Sequence, residues 1–246
     1  MKGGLRQAVL QPRLNTILNM LTPCNRLVDI GTDHALLAIE ALKTLNINTV
    51  TATDISKAAV DKAQRAVNAA GLADRVDVFQ SDGFESIETD FEQAVLAGMG
   101  GPLIIKILDQ ANRKIRPGTR LLVQPQNEYS YVREWLWNNE YHTEYEKIVV
   151  DKRYLYVVMA VEKAEDNMMF DSRELVIGRN VIYDDIDVYV RYLNFLSGVR
   201  ESTLEQIKNI TDRTRVILGM SVDKYIEKLD AEMQILQKEL ARCKHK

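Results

Sequence analysis

The sequence predicts an α/β fold followed by a helical unit, and three observations carry that expectation. Short apolar runs alternate with helix-patterned segments from residue 26 to residue 124. Two further apolar runs, residues 144–150 and 154–161, are separated only by Asp151-Lys152-Arg153. Beyond residue 163 strand patterning stops and helical periodicity takes over. Alternation of this kind implies a parallel sheet with helices on both faces. A three-residue connection is too short for a crossover, so the last two strands must be antiparallel neighbours.

Taken in order, residues 5–21 carry Leu10, Leu14, Ile17, Leu18 and Leu21 at helical spacing, and Pro23 ends the helix. Strands are expected over 26–30, 49–54, 76–80, 93–97 and 119–124, with helices over 35–45, 56–70 and 102–113. Ser56 suits an N-cap and Pro102 a first helical turn. A helix over 129–139 precedes the terminal hairpin. Five parallel strands closed by an antiparallel hairpin match the seven-stranded Rossmann-like sheet of class I methyltransferases, not the six parallel strands of a nicotinamide-binding fold. The charged residues Lys163, Glu165, Asp166 and Asp171 crowd a linker over 164–170, dividing the chain into a sheet domain, 1–163, and a helical domain, 164–246. In the latter, Val222, Ile226, Leu229, Met233, Leu236, Leu240 and Cys243 recur at steps of four and three, an a/d seam. Leu193, Leu196, Val199, Ile207, Ile210 and Ile217 form a less regular stripe upstream of Gly219-Met220-Ser221. The expectation is a coiled-coil-like antiparallel hairpin in a monomer; a dimer through the same seam is the alternative.

Composition narrows the class. Hydrophobic content of 46% and charge of 27% over 246 residues fit an ordinary globular protein. No apolar run approaches membrane-spanning length, and Met1-Lys2-Gly3-Gly4 opens no apolar signal region, so a cytoplasmic protein without membrane association is expected. Cys24 and Cys243 read as free thiols, and His34, His142 and His245 lack ligand spacing, so no metal is expected. Net charge is −3, yet residues 1–28 hold Lys2, Arg6, Arg13 and Arg26 and no acid. That is a basic face able to meet phosphate, or an ordinary solvated helix face.

The chemistry concentrates in Leu27-Val28-Asp29-Ile30-Gly31-Thr32-Asp33-His34-Ala35, a strand that turns at a glycine into a helix. Ligands of α/β sheets bind at the carboxyl ends of strands. Gly31 supplies the tight turn, while Asp33 and Ala35 stand where a dinucleotide fold places its second and third glycines. A carboxylate at Asp33 repels a diphosphate at the helix N-terminus but tolerates a sulfonium and an ammonium. Asp54 ends the second strand, 23 residues after Gly31, where an acid binds ribose hydroxyls, and Ile55 follows it. Asp82-Gly83 follows the third strand, facing the adenine amino group. Gly98-Met99-Gly100-Gly101 follows the fourth and keeps the backbone low. Any one acid at a strand end is often just a turn residue; in order and in register the set points to S-adenosylmethionine.

These residues carry a family resemblance. Asp29-Ile30-Gly31-Thr32-Asp33-His34-Ala35 resembles the first motif of the bacterial tRNA (adenine-22-N1)-methyltransferase family, TrmK. Leu96-Ala97-Gly98-Met99-Gly100-Gly101 resembles its fourth motif, and Gln124-Pro125 the segment after its fifth strand. Leu36-Leu37-Ala38 departs from the tyrosine and proline associated with that stretch. The resemblance implies methylation of N1 of adenine 22 in tRNA, with S-adenosylmethionine as donor. Asp33 is the candidate for stabilising charge on the methylated ring, or for capping the helix that follows. His34 orients donor or base, or is structural. Tyr129 and Tyr131 are candidates for stacking on an extruded adenine, and Lys2, Arg6, Arg13 and Arg26 for tRNA contact, with Arg191, Arg200, Arg213 and Arg215 of the hairpin. The absence of an Asn/Asp-Pro-Pro-Tyr box argues against methylation of an exocyclic amine. A same-fold methyltransferase of a protein or small molecule, or a non-catalytic binding protein, remains the alternative.

Overall fold

A computed structural model describes residues 10–87, 90–208, 210 and 215–244. The first helix is α1 (Pro12–Met20). The alternating region gives β1 (Cys24–Ile30), α2 (Leu36–Thr44), β2 (Ile47–Asp54), α3 (Lys57–Ala70), β3 (Val76–Gln80), β4 (Gln93–Met99), α4 (Gly101–Ala111), β5 (Arg120–Pro125) and α5 (Tyr129–Asn138). The hairpin is β6 (Tyr141–Asp151) and β7 (Tyr154–Lys163), followed by α6 (Ser172–Ile177), β8 (Val181–Ile182), α7 (Ile186–Lys208) and α8 (Val222–Cys243). A two-stranded turn, β9 (Val216–Ile217) and β10 (Met220–Ser221), joins α7 to α8. The part of the first predicted helix over residues 5–9 lies outside the described residues.

The sheet runs β3-β2-β1-β4-β5-β7-β6-β8. β1 to β5 are parallel, and β7 is antiparallel to both β5 and β6, as the short connection requires. The expected seven strands are eight. β8 pairs parallel with β6 through Glu146↔Val181 and Lys147↔Ile182. Two residues carry no readable alternation, so this edge strand was invisible to periodicity. Neighbouring residues of β1 serve opposite faces: Leu27 joins the core under α1, α2 and α3, and Val28 the core under α4, α5 and the C-terminal helices. That two-sided burial is why the parallel strands read as continuous apolar runs.

Antiparallel packing of α7 on α8 follows from the pairs Tyr189–Glu239 and Arg200–Glu232, whose numbers run in opposite directions. The seam differs from the apolar one expected. Val222, Leu229 and Leu236 are buried, but Tyr225, Glu232 and Glu239 fill the intervening turns, while Ile226, Met233, Leu240 and Cys243 are half-buried. Glu232 binds Arg200 at 2.6 Å and Glu239 binds Arg173 of α6 at 2.7 Å, so both acids enter paired. The helical region is fastened to the sheet by a fully buried pair, Arg133 of α5 and Glu146 of β6, at 2.7 Å. Arg133 also donates to the carbonyls of Leu175, Val176 and Ile177, closing the C-terminal end of α6.

Candidate active site

The β1 turn sets the cleft. Gly31 takes φ +76°, Asp33 φ +47° and Ala35 φ +52°, three left-handed residues in five. Left-handed conformation at non-glycine residues costs about 1–3 kcal/mol and clusters at functional sites. The N–H groups of Gly31 and Thr32 both donate to the Thr53 carbonyl, at 2.8 and 2.9 Å, and that of Ala35 to the Thr32 carbonyl. A side chain at Gly31 would collide with the Met99 Cε, so the β1 and β4 loops press together there. Ala35, not Asp33, occupies the N-cap of α2, with no side-chain cap bond. Asp33 therefore does not cap the helix. Its exposed carboxylate lies 3.5 Å from His34 Nε2 and 3.9 Å from Lys62 Nζ.

Asp29 is buried (6% exposed) and accepts a 2.6 Å hydrogen bond from the Thr32 hydroxyl. Burial pushes its carboxyl from an ordinary 3.8 up to about 6; the Thr32 bond opposes this and the nearby Asp54 charge adds to it. Asp54 accepts from the N–H of Ser56 at 2.8 Å and of Asp33 at 3.4 Å, which joins the ends of β2 and β1. Ile55 beside it is 64% exposed, a large apolar side chain at the mouth of a polar cleft. The cleft itself, about 340 Å³, brings Asp29, Gly31, Asp33 and His34 together with Arg13 and Leu14 of α1. Asp82, exposed after β3, lines a second hollow of about 300 Å³ with Ile107 and Lys114. Gly83 has φ +55°, and a Cβ there would meet Ile107 at 2.8 Å.

Beyond β4, Gly98 takes φ +78°, Gly100 is the N-cap of α4, and the Gly101 N–H donates to Asn127 Oδ1 at 2.9 Å. The Gly98 N–H donates to Gln124 Oε1 at 3.0 Å, and the same oxygen accepts from Arg13 Nη1 at 2.8 Å. Sequence reasoning quoted Thr32 and Gln124 within motifs but gave neither a role, and it did not single out Asn127.

The predicted tRNA contacts separate in space. Arg13 sits in the cleft, not on an open helix face. Arg26 stands near the amino end of β1, roughly 16 Å of strand from Gly31, and donates its N–H to Glu92. Tyr129 is buried (6% exposed) edge-on against Phe195, so it braces α5 and is not free to stack on a base. Tyr131 is half-buried. Arg191 donates to the Lys152 and Arg153 carbonyls, and Arg200 is buried. Arg215 is exposed, whereas Lys2, Arg6, Arg213 and His245 lie outside the described residues. Among the described residues no group of three or more His, Cys, Asp or Glu can hold a metal, and no helix is long and apolar enough to cross a membrane.

Acids ending successive parallel strands, glycine loops after β1 and β4, and an antiparallel closing hairpin define a Rossmann-like methyltransferase. The chain belongs to the tRNA (adenine(22)-N(1))-methyltransferase family, TrmK, whose sequence profile matches residues 27–238. It is 30% identical over 175 residues to the tRNA (adenine(22)-N(1))-methyltransferase of Bacillus subtilis, covering 71% of this chain and 74% of that protein. A putative tRNA methyltransferase of Mycoplasma genitalium is 30% identical over 179 residues, 70% of this chain and 79% of the other. Among solved structures, B. subtilis TrmK superposes with a TM-score of 0.77 at 25% identity, covering 94% of this chain and 98% of that one. A putative tRNA methyltransferase of Streptococcus pneumoniae, solved in complex with S-adenosyl-L-methionine, shares the fold: TM-score 0.75, 22% identity, 94% and 100% covered.

Proposed function

We propose that this chain transfers the methyl group of S-adenosylmethionine to N1 of adenine 22 in tRNA. One observation carries the choice of donor: the amides of the β1 turn are spent internally on the Thr53 and Thr32 carbonyls, while three carboxylates, Asp29, Asp33 and Asp54, surround the turn. A diphosphate needs those amides and is repelled by those charges. A sulfonium and an ammonium are not. The residues present therefore fit S-adenosylmethionine, which supplies an electrophilic methyl group when bound.

Asp29 holds the ammonium, Asp54 the ribose hydroxyls, Ile55 covers a face of the adenine and Asp82, beside Gly83, accepts from its amino group. Gly98, Met99 and Gly100 keep the backbone low beside the methyl. The enzyme's main task is to bring adenine N1 about 3 Å behind that methyl, in line, because the N1 lone pair needs no activating base. The target adenine must leave its stack to reach the cleft, and half-buried Tyr131 is the remaining aromatic group suited to receive it. Methylation leaves the ring cationic. The exposed Asp33 carboxylate, free of any capping duty, stabilises that charge, with His34 beside it orienting the base.

Residues 1–163 form the catalytic unit and 164–246 a helical unit that braces it and extends the tRNA surface. A tRNA substrate places the enzyme in the cytoplasm. The test is incubation with methyl-labelled donor and unmodified tRNA, followed by nucleoside analysis. N1-methyladenosine is expected, and it disappears when adenine 22 is replaced by guanine. Donor binding without any N1-methyladenosine refutes the assignment.

A further inference from the structure

β4 and β5 pair in register up to Ala97↔Gln124 and then slip, so that Met99 pairs with Pro125 and Gly98 is the extra residue. A bulged residue loses its ladder partner. The Gln124 side chain replaces it, and its Oε1 also receives the Arg13 guanidinium, while Nε2 donates to the Pro125 carbonyl at 2.8 Å. A flipped amide would set an NH2 group against two donors, so this orientation is forced. Gln124 is 0% exposed, and a Cβ on Gly98 would come within 3.1 Å of Arg13 Nη1. The guanidinium also lies over the Tyr156 ring, 5.8 Å from its centre. Among the described residues no carboxylate pairs with Arg13, and residues 1–9 contain no acid. A half-buried guanidinium that pairs with no carboxylate among the described residues, held between the Gln124 oxygen and the Tyr156 ring inside a cleft, is a receptor for an anion.

We propose that Gln124 is a positioning residue, which ties Arg13 to the Gly98 bulge and so presents that guanidinium to an anionic group of a substrate. The inference rests on the methyltransferase reading, which leaves two sources for the anion: the carboxylate of the donor's amino-acid moiety and a phosphate of the RNA. Equilibrium binding separates them without relying on turnover. Dissociation constants for S-adenosylmethionine (calorimetry) and for unmodified tRNA (fluorescence anisotropy over a salt series) are measured for wild type, R13A, R13K, Q124M and R13A/Q124M.

R13A weakens one of the two constants roughly tenfold, the loss expected for a charge-assisted pair. If the donor carboxylate is the anion, the loss falls on S-adenosylmethionine. If RNA phosphate is, the loss falls on tRNA and the salt slope drops by about one. R13K recovers part of the loss, because a point charge cannot reproduce the fork. Q124M keeps the bulk but removes the oxygen that ties Arg13 to Gly98 and adds no charge, so it shows part of the R13A loss on the same ligand, and the double variant is no weaker than R13A alone. R13A within twofold of wild type for both ligands overturns the proposal, as does an additive loss in the double variant. Failure of wild type to methylate tRNA would refute the function while leaving both binding measurements intact.

Discussion

Replacing Asp29 by Asn should make the protein more stable and its hold on S-adenosylmethionine weaker, and the structure gives the size of both effects. Asp29 accepts a hydrogen bond from the Thr32 hydroxyl, but its desolvation, with the Asp54 charge nearby, raises its carboxyl from 3.8 to about 6. A carboxyl raised on folding contributes stability below its unfolded value and loses it as pH rises through the folded one. At pH 7.5 the free enzyme therefore bears the full cost of the buried charge, about 3 kcal/mol for a rise from 3.8 to about 6. Asp29→Asn removes the charge and can still accept from Thr32, so its thermal midpoint at pH 7.5 should rise by several degrees. The donor's ammonium needs the ionised form. About nine-tenths of Asp29 is ionised at pH 7 and about one-tenth at pH 5, so wild-type affinity should fall about tenfold across that range. Calorimetry from pH 5 to 7.5 reads this directly, and proton release on binding should grow as pH falls. His34, Asp33 and Asp54 are common to both proteins, so the difference between the two profiles isolates Asp29. A ratio of wild-type to variant affinity that stays constant from pH 5 to 7.5 refutes the assignment of Asp29 to the ammonium.

Three further outcomes are expected. Asp54→Ala should weaken S-adenosylmethionine binding by roughly 10- to 100-fold, the loss of hydrogen bonds to a charged acceptor; titration calorimetry checks it, and unchanged affinity would remove Asp54 from the donor site. Asp33→Asn should lower turnover at least tenfold in single-turnover methyl transfer while leaving donor affinity within twofold, and the reverse pattern would make Asp33 a donor contact. Arg133→Leu strands the Glu146 carboxylate in the core and frees three carbonyls of α6, so urea denaturation should show a loss of about 3–5 kcal/mol; an unchanged midpoint would mean that the pair does not fasten α6 to the sheet.

What the sequence revealed and what it hid have one physical boundary. β1 to β5 are buried on both faces and announce themselves as apolar runs, and their carboxyl ends share one edge of the sheet, so Asp29, Gly31, Asp54, Asp82 and Gly98 were singled out by position alone. Periodicity tracks apolar burial, and it goes silent where burial is achieved by paired charges. Glu232 and Glu239 sit in the α8 seam because Arg200 and Arg173 neutralise them there, and a rule that assigns acids to the solvent shifts the seam to Ile226, Met233 and Leu240. Contact across sequence is equally hidden. Arg13 and Gln124 are 111 residues apart, and nothing local in either segment shows that a slipped register at Gly98 will require the glutamine's oxygen.

Those unread charges also couple the helical unit to the loop after β4. Arg200 of α7 donates to Ser130 and Lys228 of α8 pairs with Glu134, both on α5, while Arg133 of the same helix grips α6. α5 begins two residues after Asn127, whose side chain accepts the Gly101 N–H at the start of α4. A side chain at Gly101 would strike the Asn127 carbonyl, so that contact has no slack. The hairpin thus fixes α5, α5 fixes Asn127, and Asn127 fixes the glycine loop after β4. Burying a cation or an acid against a hydrophobic isostere gains little stability, but it specifies which helix turn meets which. In this fold that specificity sets the position of the loop after β4.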